Sequence, residues 1–562
     1  MSHPKAGNAA PEKQPAEDEQ PRSAREIRLV MIGLVVTMLL AMLDGLIVGT
    51  AMPTIVGELG GAEHLSWVVT SYTLATAAST PIWGKLGDLY GRKGTFLTSI
   101  VIFLAGSALS GLSQDMTELI GFRALQGLGA GGLMVGVMSI MGALVPPRDR
   151  GKYQGMFAAV MALATIGGPL VGGFITDHLN WRWTFYINLP LGAVALAVVV
   201  VTLKLPKVRS KARIDYLGAL LLTTGITSLT LITTWGGQEY AWGSKQILGL
   251  SALAASTLIG FCYVEQRVEE PMLPLSLFKN LNFTLVSIIG FVVGFVMFGS
   301  TVFLPLYQQT VQGASATNSG LLLMPMMFGM LVISLVVGQA VTKTGKYRIY
   351  PIIGTVVMTA GMLLLSTLST DTSGFVSACW MVVLGAGMGF LMQITMLVAQ
   401  NSVELKDMGV ASSTATLFRT IGGSFGVALF GALFNNRVTE TMNERLGSAA
   451  GAGSAQGGDP AQLSPNALKA LPAPVQDAYH HAVANGMHTV FLWGAAAAVI
   501  SVAAAVFMRE VPLRGAGGPS ADAKDGEAKD GEAKDGEAKD GEAKDGEAGK
   551  GAAVGNTEAV AI

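Results

Sequence analysis

The stretch LAMLDGLIVGTAMP, Leu40 to Pro53, sets one carboxylate, Asp44, inside an apolar run that extends from about residue 29 to 55. A bilayer-crossing helix needs roughly 20 apolar residues, and this run is long enough. A charge held deep in the bilayer costs ~2.5–3.5 kcal/mol on insertion scales, so such groups face a protein interior or a wet cavity and serve a pathway. Counting from Leu29 at ~1.5 Å per residue, Asp44 lies ~22 Å along a helix with an apolar length of ~40 Å. A permanent structural ion pair is the plainer alternative for so central a carboxylate.

The rest of the chain repeats that apolar pattern. Of 562 residues, 51% are hydrophobic and 13% charged, and the mean hydropathy is +0.49. Charge is sparser than in soluble domains, and an all-α polytopic membrane protein is expected. A net charge of −1 excludes the basic footprint of a nucleic-acid binder. Scanning for spans gives fourteen, at about 29–55, 64–83, 95–113, 118–140, 153–176, 183–203, 214–234, 246–264, 282–304, 318–341, 350–368, 374–397, 411–433 and 487–508.

Cations in short loops fix the expected orientation, because they are retained on the cytoplasmic side. With the N-terminus inside, inner loops carry Lys85, Arg92 and Lys93, then Arg148, Arg150 and Lys152, then the 204–213 cluster, then Lys343, Lys346 and Arg348. Outer loops offer Arg182 and Lys245. Both termini are therefore expected in the cytoplasm, in a multi-pass protein of the cell membrane. The expected parts are a polar tail at 1–27, a six-helix bundle at 28–204, a linker with two extra helices at 205–280, a second bundle at 281–509 with an outer loop at about 434–486, and a tail at 510–562. That last tail holds five KDGEA units, balanced in charge and broken by glycine, and it reads as disordered.

A faint repeat links the two bundles. GKLGDLYGRKG starts at Gly84 and GQAVTKTGKYR at Gly338, with glycine first and eighth and a cation ninth. Duplicated halves are how many transporters build alternating access. In the first copy Gly84 and Gly91 permit a tight turn. Asp88, Arg92 and Lys93 can pair with one another or with helix ends. A loop that only had to be positive would need neither the acid nor the glycines.

Other residues join Asp44 as candidates. Arg123, in LIGFRALQGLGAGG, lies at a depth compatible with Asp44. A nearby cation favours an ionised carboxylate and burial a neutral one, which is how such a group is tuned to load and unload a proton. The fifth span, QGMFAAVMALATIGGPLVGGFITD, carries a four-residue stripe of Ala164, Gly168 and Gly172 that admits a close helix neighbour. Pro169 removes a backbone donor from it and is expected to kink it. Gln126, Gln393 and Arg419 are candidate cavity-lining groups; for Arg419 a place near a helix end competes equally. The 27 methionines could mould a polyspecific pocket or simply pack and face lipid.

Taken together, GKLGDLYGRK, RALQGLGAGG, GGPLVGG and LDGLIVGTAMP resemble the major facilitator superfamily and, within it, the fourteen-span drug:proton antiporters, over roughly Arg25 to Arg509. The resemblance implies two six-helix bundles plus two inserted helices, no cofactor, and export driven by the proton gradient. It implies that Asp44 is the proton-coupling or cargo-binding carboxylate and Arg123 its companion. Asp88 and Arg92, within the gating loop Gly84, Asp88, Gly91, Arg92 and Lys93, would be part of a cytoplasmic latch. Gly168, Pro169, Gly172 and Gly173 would form the antiporter seam. The chain departs from the pattern at Leu46 and Gly49, where a polar pair is usual, at Ala164, where glycine is usual, and at Leu89, where a cation is common. The expected partners are protons, the lipid bilayer and a small lipophilic cargo, handled by a monomer. One buried acid suits a cationic cargo, with neutral and zwitterionic molecules left open. Proton-coupled uptake on the same fold is the alternative; a membrane-embedded enzyme or receptor finds no nucleotide loop, metal cluster or Ser/His/Asp set to support it.

Overall fold

The computed structural model describes residues 24–60, 64–203, 215–236, 239–268, 270–314, 322–404, 407–446 and 472–513. The KDGEA tail, most of the N-terminal tail, the 204–213 cations and the Gly/Ala/Ser stretch of the outer loop lie outside them. The chain is all helix apart from turns and one isolated bridge between Gly236 and Tyr240, among the described residues. Its helices are α1 (Ala24–Leu59), α2 (Leu65–Tyr90), α3 (Arg92–Leu112), α4 (Met116–Leu144), α5 (Pro147–His178), the short α6 (Trp183–Tyr186), α7 (Asn188–Thr202), α8 (Tyr216–Trp235), α9 (Lys245–Glu265), α10 (Leu281–Thr310), α11 (Met324–Thr344), α12 (Ile349–Ser366), α13 (Gly374–Asn401), α14 (Met408–Leu446) and α15 (Ala473–Val506).

Among the described residues, twelve helical segments are long and apolar enough to cross a membrane, with α6 and α7 counted as one. The two other long helices are α2, diluted by Thr70, Ser71, Thr73, Thr76, Ser79 and Thr80, and α5, which opens on Arg148, Asp149, Arg150 and Lys152. Each still runs from one end of the bundle to the other. One end holds Asp88 of α2 and Arg150 of α5, the latter bonded to Gln400 at 3.2 Å. The opposite end holds Trp67 of α2, stacked edge-on to Trp235 at 5.4 Å, and the turn after α5, where Trp181 donates to Glu58 at 2.8 Å.

Several helices outrun their expected bounds, the last two by the most. The expected 411–433 and 487–508 are α14, which continues to Leu446, and α15, which starts at Ala473. The outer connection is correspondingly shorter than 434–486, because helix periodicity carries on past the apolar core into polar, solvent-tolerant residues.

The first half packs α1 on α4, α5 and α7, with α4 against α2 and α3; the second packs α10 on α14, and α13 on α11 and α12. The halves meet where α2 and α4 contact α14 and where α5 runs along α11. The pair α8 and α9 covers the α2/α14 junction. There Leu222, Ile226 and Phe261 bury against Ala77, Val410 and Leu417. Asp215 caps α8 by accepting from the Gly218 amide at 2.8 Å, the helix-start role its position predicts.

The repeat is visible in the backbone. Gly91 has φ 97° and Gly345 φ 70°, so the eighth glycine of each copy ends its helix in a conformation L side chains rarely adopt.

Candidate functional site

Asp44 sits on α1 with no solvent exposure, and the donors around it come from two other helices. Arg123 Nη1 reaches Asp44 Oδ2 at 2.6 Å. Asp44 Oδ1 accepts from Gln126 Nε2 at 2.8 Å and from Asn188 Nδ2 at 2.7 Å. The network closes on itself: Arg123 Nη1 also donates to Gln126 Oε1 at 2.8 Å, and Asn188 donates to Ser107 Oγ at 2.9 Å. Tyr72 lays its ring 4.0 Å from the guanidinium carbon of Arg123. A buried carboxylate is tolerated when charge and hydrogen bonds both meet it, and here both do.

Helical geometry explains the set. Arg123 and Gln126 lie three residues apart and so share one face of α4. The small residues that follow let α4 come close to its neighbours: a Cβ on Gly127 would strike Tyr72, and one on Gly129 would strike the Phe103 backbone. Asn188 opens α7, just after the break that separates it from α6. Asn188 and Tyr72 were not singled out from the sequence. The signal for Asn188 was an amide inside an apolar run, two residues before Pro190.

Beside this network lies a cavity of about 330 Å³ between the halves, at the low end of small-molecule sites. Its wall includes nine methionines, Met38, Met42, Met134, Met138, Met161, Met297, Met327, Met392 and Met396. Asp44, Arg123 and Gln126 are not in it. Met38, Met42 and Leu46 are, so one helix, α1, carries both the carboxylate and part of the cavity wall. Arg419 and Gln393 both line the cavity. Arg419 lies well inside α14 rather than at its end. Gln393 is 4% exposed and neither polar atom of its side chain has a hydrogen-bond partner among the described residues. The hydroxyls of Thr76, Thr80, Thr301, Ser334, Thr416 and Thr420 all donate to backbone carbonyls.

The gating-loop residues are helical on both sides of Gly91: Gly84 and Asp88 lie in the last turns of α2, and Arg92 and Lys93 open α3. Asp88 accepts from the Gly409 amide at 3.0 Å and the Val410 amide at 2.9 Å, so it caps the first turn of α14 in the other half. Arg92 pairs with Asp88 at 3.0 Å. Gly84 is needed there because a Cβ would lie 2.5 Å from Ser413 Oγ. Lys93 turns away and donates to the Val200 carbonyl at 2.8 Å. A further cross-half link, Arg150 to Gln400, involves a buried arginine of α5, where an inner-loop cation is expected from the sequence.

Along the proposed seam the glycines differ. A Cβ on Gly168 would lie 2.5 Å from Leu46 Cβ, one on Gly173 would meet nothing within 4 Å, and the Gly172 carbonyl accepts from Thr176 at 2.6 Å. The helix assignment of α5 continues through Pro169 without a break.

A profile of the Major Facilitator Superfamily matches residues 34–427. The multidrug transporter protein MdtP of Bacillus subtilis is 43% identical over 419 residues, covering 74% of this chain and 77% of that protein. Multidrug resistance protein 3 of the same organism is 37% identical over 486 residues, covering 86% and 95%. Among solved structures, the proton:xylose symporter XylE superposes with a TM-score of 0.57 at 14% identity, covering 87% of this chain and 96% of that one. With most of its length matched in sequence and its helices arranged in the same fold, the chain belongs to the Major Facilitator Superfamily of membrane transporters.

Proposed function

We propose that this transporter exports small lipophilic molecules in exchange for protons, by alternating access across the cell membrane. The observation that carries the reading is the buried Asp44, met by three donors and placed on the same helix as part of the cavity wall. Similarity to two multidrug transporters supports the direction of transport.

The coupling follows from hydrogen-bond chemistry. An ionised Asp44 accepts from Arg123, Gln126 and Asn188 and so ties α1 to α4 and α7. A protonated Asp44 is a donor at one oxygen, so one of those acceptor positions is lost and the charge attraction to Arg123 disappears. The α1 register relative to α4 and α7 then changes, and Met38, Met42 and Leu46 move with it. Cargo bound against those side chains meets a different wall in each protonation state, which is the differential affinity that alternation requires.

The membrane arrangement proposed has fourteen spans, with both termini in the cytoplasm. It is supported by α2 and α5 joining both ends of the bundle, in addition to the twelve strongly apolar segments. The bundle end with Asp88 and Arg150 is then the cytoplasmic one. Contact between α2 and α14 there makes the present arrangement closed to the cytoplasm.

The test uses protein reconstituted in liposomes with a trapped pH dye. Adding a neutral lipophilic dye such as Nile red should drive proton movement in the wild type and none in Asp44→Asn, which keeps the shape of the side chain. Coupling of wild-type strength in Asp44→Asn would remove Asp44 from the proton pathway. In cells, dye accumulation that rises with a protonophore indicates export, and dye accumulation that falls indicates uptake.

A further inference from the structure

We propose that the cavity selects cargo carrying an anionic group, with Arg419 as the residue that recognises it and Gln393 as its hydrogen-bonding companion. The inference rests on reading the cavity as the cargo site. It adds a charge preference opposite to the one a lone buried acid suggests.

Arg419 is the only charged residue lining the cavity among the described residues. No carboxylate pairs with it among them. Asp44, the acid that would have met a cationic cargo, has no exposure, and its oxygens are occupied by Arg123, Gln126 and Asn188. A cation entering the cavity would thus meet a guanidinium and no counter-charge. An anion would meet up to five N–H donors in a fixed fork that matches a carboxylate or sulfonate in bidentate fashion.

The other polar groups point the same way. Every serine and threonine hydroxyl in the wall has spent its proton on a backbone carbonyl. The donors left for cargo are the Arg419 guanidinium and the Gln393 amide, and the latter is unpartnered at both atoms despite its burial. A buried polar group without a partner, as the Gln393 amide is, is costly, and the partly exposed Arg419 guanidinium keeps its charge in the cavity wall. A ligand that supplies an acceptor to both offsets that cost.

Arg419 is also held in place. The backbones of α10 and α14 approach so closely that a Cβ on Gly294 would strike the Arg419 carbonyl, while one on Gly422 or Gly426 would strike Phe291 or Phe295. The helix that carries Arg419 is thus fixed at its backbone, so the point of attachment of the guanidinium need not move when cargo binds. The remaining wall, mostly methionine, adapts to an apolar body of variable shape. The cargo class is therefore an amphipathic monoanion with a compact apolar body.

Three dansyl probes of matched bulk test this: N-dansyl-leucine, its methyl ester and dansylcadaverine, which are anionic, neutral and cationic. Binding to the purified full-length protein is read by dansyl fluorescence. The anion should bind about 10-fold tighter than the ester, as expected for a charge-assisted pair, and the cation should bind weakest. In Arg419→Gln the anion-to-ester ratio should fall to about one, and Arg419→Lys should restore part of it. Tightest binding by the cation, or an unchanged ratio in Arg419→Gln, overturns the proposal. The wild-type ranking decides the matter even if a variant fails to fold. Loss of the anion preference with proton-driven export of the ester intact would refute this inference and leave the export reading standing. Arg419-dependent anion binding without proton-driven export of any probe would do the reverse.

Discussion

Asp44 and Arg123 stabilise the fold only as a pair, because each alone would be a buried charge without compensation. Arg123→Ala should therefore cost about 3–5 kcal/mol of stability, seen as earlier thermal unfolding in detergent. Adding Asp44→Asn to that variant should recover part of the loss, since the orphaned charge is gone. An additive double variant would mean that the two charges do not interact. This pairing was legible in the sequence, since two charges in separate apolar runs counted to similar depths. Gln126 was legible only as a polar group facing inward; its bridging of Asp44 and Arg123 follows from sharing a helix face with Arg123 at a three-residue spacing. Asn188 was legible only as an amide inside an apolar run, with nothing to say what it meets. Its reach to Asp44 depends on where the sixth apolar segment breaks into α6 and α7, which local composition does not decide.

Between helices, glycine acts by where it lets backbones meet, and the two ends of the GGPLVGG motif make opposite predictions. Gly168→Ala would place a methyl 2.5 Å from Leu46 Cβ, so α1 must shift away from α5. Because α1 also holds Asp44 and the cavity wall, transport should fall at least several-fold. Gly173→Ala opens onto free space and should be tolerated, with a gain in helix propensity of roughly 1 kcal/mol. Transport assays on both variants check the contrast; equal loss in both would mean the motif acts through flexibility rather than through the α1–α5 contact. Helix type was readable because long apolar runs leave few other options in lipid. Helix ends were less so: α14 and α15 extend beyond their apolar cores, where no hydrophobic signal marks the boundary. The methionine wall was also undecidable beforehand, since methionine facing lipid, packing or cavity has the same sequence signature.

The two halves are joined at the Asp88 end by a helix cap that crosses between them. Asp88 satisfies the Gly409 and Val410 amides of α14, amides that a helix start leaves without an intrahelical partner. Arg92 holds the carboxylate in position from α3, and Gly84 lets α2 approach closely enough for the bonds to form. The cap exists only while α2 and α14 touch, so under the proposed alternating access it would stabilise the conformation closed at this end and contribute nothing to the other. Side-chain caps contribute about 0.5–2 kcal/mol, so Asp88→Ala should shift the equilibrium toward the opposite opening by about 2- to 30-fold. Spin labels on the exposed Tyr90 and on Glu404 would report the change as a longer distance distribution at this end. Asp88→Asn keeps one acceptor oxygen and should give an intermediate shift. The fold as a whole should lose little, because the first and second halves keep their own cores. If Asp88→Ala left the distance distribution unchanged, the cap would be a passenger of the closed arrangement, and the α2/α14 packing around Ala77, Val410 and Leu417 would be what holds it.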